Sequence, residues 1–77
     1  MAEDPQGVVK IIELVGSSPN SFSDAVKNAV STASQTVRNI QGVDVIQSSA
    51  KVDGSGNISH YRVNVKISFL VDAGGVS

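Results

Sequence analysis

Val8 to Val15 reads VVKIIELV, a run rich in β-branched residues that stops at Gly16. It predicts a strand. Its two faces are both mostly apolar. Val9, Ile11 and Val15 share one with Glu13, and Val8, Ile12 and Leu14 share the other with Lys10. A strand apolar on both sides is covered on both sides. A chain of 77 residues has little with which to do that. At this size folding buries only about 60% of the surface exposed in the unfolded chain. Disulfides, a structural metal or oligomerisation are the usual remedies. The chain has no cysteine, and His60 is its one histidine, so disulfides, thiolate sites and a multi-histidine zinc site within one chain are excluded. Partner copies of the same chain remain. Net charge is −1 and charged residues make up 17%, which offers no electrostatic pull toward nucleic acid or an anionic membrane.

Ser17-Ser18-Pro19-Asn20 has the composition of a loop. Ser21 then suits a helix N-cap, with Asp24 three residues on in a capping box of the S-x-x-D form. Phe22, Ala25, Val26, Ala29, Val30, Ala33, Val37 and Ile40 follow at spacings of three and four and form one stripe. Ser23, Lys27, Asn28, Ser31, Gln35 and Arg38 fall on the opposite side. The spacing predicts a helix over 22–40. Its Ala- and Val-dominated stripe suits close approach to a sheet.

Val43 to Val52 predicts a second strand, and Asp53-Gly54-Ser55-Gly56-Asn57 a hairpin connection whose glycines accept positive φ. From His60 to Leu70 alternation is nearly unbroken. Tyr61, Val63, Val65, Ile67 and Phe69 face the helix; His60, Arg62, Asn64, Lys66 and Ser68 face away. The fold class is α+β, with β-α-β-β order and a three-stranded antiparallel sheet against one helix. Residues 1–7 read as a flexible N-terminal arm, 8–71 as the domain and 72–77 as a flexible tail. The first residues lack a basic and apolar leader pattern, and no apolar run reaches the ~18 residues of a membrane span, so a soluble, cytoplasmic protein is expected.

Residue types spell no catalytic site: no nucleophile–base pair, carboxylate pair or metal set stands at a telling spacing. His60 lies on the polar side of its strand and reads as a solvent or interface histidine. Asp53, Ser55 and Asn57 imitate the opening of a calcium loop. Ile58 stands where that loop needs glycine and Asn64 where it needs its terminal glutamate, so a Gly-rich turn is the better reading. The helix N-terminus after Gly16-Ser17-Ser18-Pro19 is already served by Ser21 and Asp24, and Asp24 repels anions. Lys27 and Arg38 read as solvated helix residues.

Three segments together resemble the dodecin family: VVKIIELVGSSPNSFSDAVKNAV from Val8, TVRNIQGVDVIQ from Thr36 and YRVNVKISF from Tyr61. The likeness spans about residues 8–71. It implies a hollow homododecamer in which each sheet wraps partly around its helix, and a non-enzymatic binding or storage role. Many dodecins bind flavin, stacking a tryptophan on the isoalloxazine ring and hydrogen-bonding its polar edge with a glutamine. The matching positions here are Gly42 and Arg62. Gly42 has no π surface, and Arg62 brings charge and only donors in place of an amide. The resemblance therefore implies a degraded site for riboflavin or FMN. Family members lacking the tryptophan include calcium-associated dodecins, which makes a divalent cation or an anion the alternative ligand. A purely structural oligomer is a further reading. Metal ligands are not spelled within one chain; Glu13, Asp44 and Asp53 are the carboxylates that symmetry axes would have to bring together.

Overall fold

The computed structural model describes residues 7–71. Four elements follow in order: β1 (Val8–Ser18), α1 (Phe22–Ala33), β2 (Ile40–Val52) and β3 (Ile58–Val71). The β-α-β-β order and the three-stranded antiparallel sheet are those expected. The expected arm and tail fall almost wholly outside the described residues.

β3 is the central strand, in the order β1-β3-β2. β1 pairs with it without interruption from Val8↔Val71 to Ser18↔Tyr61. β2 pairs on the other side with shifts at Ile40/Gly42, Val45/Gln47 and Lys51/Val52. Such irregularities bend a strand and raise its twist. Asp53 closes the β2–β3 turn, its Oδ1 accepting from Ser55 N (2.9 Å) and Asn57 N (3.0 Å), while Gly56 takes φ of 84°. Only a residue without Cβ adopts that angle at little cost.

Ser21 caps α1 as expected, with extended φ and its Oγ accepting from Asp24 N at 3.0 Å. The return arm of a capping box is missing, for Asp24 Oδ2 instead accepts from Asn20 Nδ2 at 3.3 Å. The helix ends at Ala33, not at residue 40. Beyond it, Gln35 N and Thr36 N bond three residues back, to Thr32 O and Ala33 O. The Ser34 and Thr36 hydroxyls donate to Ser31 O and Ala33 O. Hydroxyls that compete for helix carbonyls, with β-branched Thr36 and Val37 following, stop propagation. Val37 and Ile40 still pack on the core, from the connection and from β2. Tertiary packing thus continues the apolar spacing past the helix that began it.

Asn39 makes the entry into β2, at φ of 62°. Its carbonyl accepts from Leu70 N at 3.0 Å, tying the start of β2 to the end of β3. Asparagine tolerates the left-handed region and a β-branched side chain does not. Asn39→Val should lower the unfolding free energy by about 1–2 kcal/mol and Asn39→Gly by less than about 0.5 kcal/mol, read from urea midpoints. Equal losses would show that the angle is not what asparagine supplies.

The buried core is small: Ala25, Ala29 and Ala33 from α1 against Val63, Val65 and Ile67 from β3, with Ile12 and Leu14 of β1 half-buried beside it. Tyr61 and Phe69, expected to lie in the core, are only half-buried at its two ends, and Tyr61 meets the exposed Phe22 edge-on at 4.9 Å between ring centroids. Gly16, where β1 was expected to stop, instead lies inside the strand and directly under the helix, beside Ala25 and Ala29.

Helix and sheet are badly matched in length. Twelve helical residues span ~18 Å, whereas the fourteen of β3 span ~46 Å. α1 lies over β1 and β3 and barely reaches β2. Val43 and Val45 share the helix-side face, yet are 37% and 52% exposed. On the opposite face Ile11 and Val15 of β1 are about 60% exposed. The radius of gyration is 15.4 Å, against ~11.5 Å for a compact chain of this length.

Candidate functional site

The face of the sheet turned away from α1 is open, and the strand register sets out its chemistry in rows. At one end Gly42 lies opposite Ser68, which lies opposite Ile11. The next row is Glu13–Lys66–Asp44, then Val15–Asn64–Gln47, then Ser17–Arg62–Ser49. His60 and Lys51 pair in the last row before the turn.

Gly42 is half-buried, and a Cβ there would meet only Ser68 Oγ, at 3.6 Å. Its φ lies outside the left-handed region, so the glycine is not holding an angle closed to other residues. Arg62 is exposed on the same face of the sheet. Within one chain the two stay apart. Gly42 is opposite Ser68 and Arg62 stands six positions earlier on β3, a separation of ~20 Å along the strand. A ligand touching both has to lie between subunits.

The three acidic candidates are also dispersed. Glu13 and Asp44 flank Lys66 from either side, so a cation between them would meet the lysine first. Opposite-charge cross-strand neighbours of this kind contribute about 0.2–1 kcal/mol each. Asp53 has one carboxylate oxygen committed to the turn. Among the described residues no three of His, Cys, Asp and Glu come together as a metal site. No described helix is long and apolar enough to cross a membrane.

A grouping that residue order does not announce is Ser17, Lys51, His60 and Arg62, which together line a depression of about 240 Å³ near the hairpin. Lys51 and His60 are nine positions apart and meet only through the turn and the irregular pairing beyond Lys51. Their parity on the polar side of each strand was the available signal; the register that joins them was not.

A small helix is laid on one side of a longer three-stranded sheet, with apolar residues left exposed on both sides. The comparisons give that architecture its family. The dodecin family model matches residues 8–72. The calcium dodecin of Mycobacterium tuberculosis is 37% identical over 62 residues, covering 80% of this chain and 86% of that protein. The dodecin of Streptomyces coelicolor superposes with a TM-score of 0.83 at 33% identity, over 87% of this chain and 94% of that chain. A solved structure of the M. tuberculosis calcium dodecin, described as a calcium-chelating antigen, gives 0.75 at 33% identity, over 91% and 99%. The chain belongs to the dodecin family.

Proposed function

We propose that the chain is the subunit of a non-enzymatic, cytoplasmic homododecamer that binds and stores a small ligand between subunits, and that its flavin affinity is weak. The observation that carries the assembly is apolar surface left uncovered on both sides of the sheet: Val43 and Val45 where it reaches beyond the helix, and Ile11 and Val15 on the face that has no helix. Gly42 carries the weak affinity, since it offers the isoalloxazine ring nothing to stack upon.

Gly42→Trp tests the ligand. The position has ordinary backbone and only Ser68 Oγ near its Cβ direction, so the substitution is compatible with the fold. Riboflavin fluorescence quenching should show affinity rising about tenfold or more, a stacking gain of about 1.4 kcal/mol. Adding Arg62→Gln should raise it further, because an amide offers both donor and acceptor to the ring edge. Native binding tighter than about −8 kcal/mol would overturn the reading.

A divalent cation is the second reading, favoured by the likeness to the calcium dodecin. Glu13 and Asp44 are the carboxylates offered by the open face, and the ligand set would be completed across subunits. Calcium heat without riboflavin quenching, in the same titration series, selects it.

A further inference from the structure

The open face of the sheet holds two contrasting sets of charge. Lys66 is flanked in its row by two carboxylates, Glu13 and Asp44. Near the hairpin the pattern reverses. Arg62 lies between Ser17 and Ser49, and the adjacent same-face row pairs His60 with Lys51. No carboxylate stands in either of these rows. Asp53, the acid nearest along the chain, turns its Oδ1 to the backbone N–H groups of Ser55 and Asn57. Rows on one face are ~7 Å apart and strands ~4.8 Å apart, within reach of arginine and lysine side chains at diagonal positions. These groups line one shared depression. Lys51 and Arg62 thus stand on adjacent rows with no carboxylate between them, an arrangement that an anion can join without displacing an acidic partner.

We infer that Lys51, His60 and Arg62, with the Ser17 hydroxyl, form a binding site for a phosphate dianion. Arg62 supplies a planar fork matched to two phosphate oxygens, Lys51 a point charge and Ser17 a neutral donor. His60 donates from the ring nitrogen not turned toward Ser59 Oγ, which lies 3.3 Å from Nδ1. Lys51 and Arg62 are the charged groups set beside that imidazole by the register. The site lies within one chain and apart from Gly42, but it shares Arg62 with the proposed flavin position, so Arg62→Gln should weaken phosphate binding while helping flavin.

The single histidine makes the test direct, because its ring C–H signals in a proton NMR spectrum belong to one residue. At one fixed pH, adding inorganic phosphate, against chloride at equal ionic strength, should move the His60 ring signals saturably, since an anion bound in the depression changes the field at the ring. Arg62→Ala and Lys51→Ala should each weaken phosphate binding about tenfold or more and abolish the phosphate-induced signal shift. Both residues are exposed, and circular dichroism verifies their folds. Lys66→Ala, among its carboxylates, should leave the shift intact. AMP against adenosine separates the sources. AMP binding more tightly than phosphate points to a phosphorylated cofactor, and equal binding to the free ion, with adenosine silent in both cases. Identical titrations in phosphate and chloride, or a shift that survives both Arg62→Ala and Lys51→Ala, would overturn the site.

Discussion

Gly16→Val is expected to lose most of the stability of the fold. A Cβ at this position would overlap the carbonyl oxygen of Ala25 and approach Ala29 Cβ to 2.9 Å. The nearer obstacle is helix backbone, which no side-chain rotation can clear. α1 would have to lift off β1, opening a core made largely of Ala25, Ala29, Ala33 and three β3 residues. Overpacking typically costs 1–3 kcal/mol, and the looser packing around a displaced helix brings the expected loss to about 3–5 kcal/mol. Even Gly16→Ala should be poorly tolerated. Gly54→Ala is the control, because nothing lies within 4 Å of its Cβ direction and its φ is not left-handed. Guanidinium unfolding followed by circular dichroism separates them. A Gly16→Val midpoint close to the native one would show that helix and strand can separate at little cost.

The second large effect concerns assembly. Twelve chains of 7.9 kDa amount to about 95 kDa, the mass expected by light scattering at micromolar concentration. Val45 is half-exposed on the helix-side face of β2, beyond the reach of α1. If a neighbouring subunit covers it, Val45→Asp places an unpaired carboxylate in that contact, at a cost of about 3–5 kcal/mol per site. A closed shell repeats the defect in every subunit. The main species should fall from ~95 kDa to a trimer or smaller, whereas Val45→Leu keeps the shell. A Val45→Asp protein that still scatters as a dodecamer places Val45 outside the interface. A native chain that is monomeric removes the assembly reading altogether.

Several features of this fold are plain in residue order because a local rule decides them. Ser21 with Asp24 marks the helix start, the glycines after Asp53 mark the hairpin, and strict alternation from His60 marks β3 and its buried face. Where long-range packing decides, the local signal misleads. Val37 and Ile40 keep helical spacing although α1 has ended at Ala33, because two different elements bring them to the same core. Gly16 looks like a strand terminus but is the point of closest approach between β1 and α1. The candidate site divides the same way. Gly42 and Arg62 stand out by position in a known pattern, while Lys51 beside His60 depends on a register that bulges shift. Pairing of β1 with β3 rather than β2 is equally a property of the whole chain.

That pairing has a consequence for synthesis. Val8 finds its partner in Val71, so the first strand to leave the ribosome waits for the last. At roughly 5–20 residues per second the wait lasts several seconds. β2 and β3 are joined by a tight turn, and a hairpin closes in about 1–10 μs once both strands are out. β1 is therefore expected to dock last, onto a hairpin already formed, and until then both of its backbone edges are open to the β1 strands of neighbouring nascent chains. For the assembly proposed above, early encounters of this kind are a hazard when β1 meets β1, and productive only after β3 has taken its place between β1 and β2.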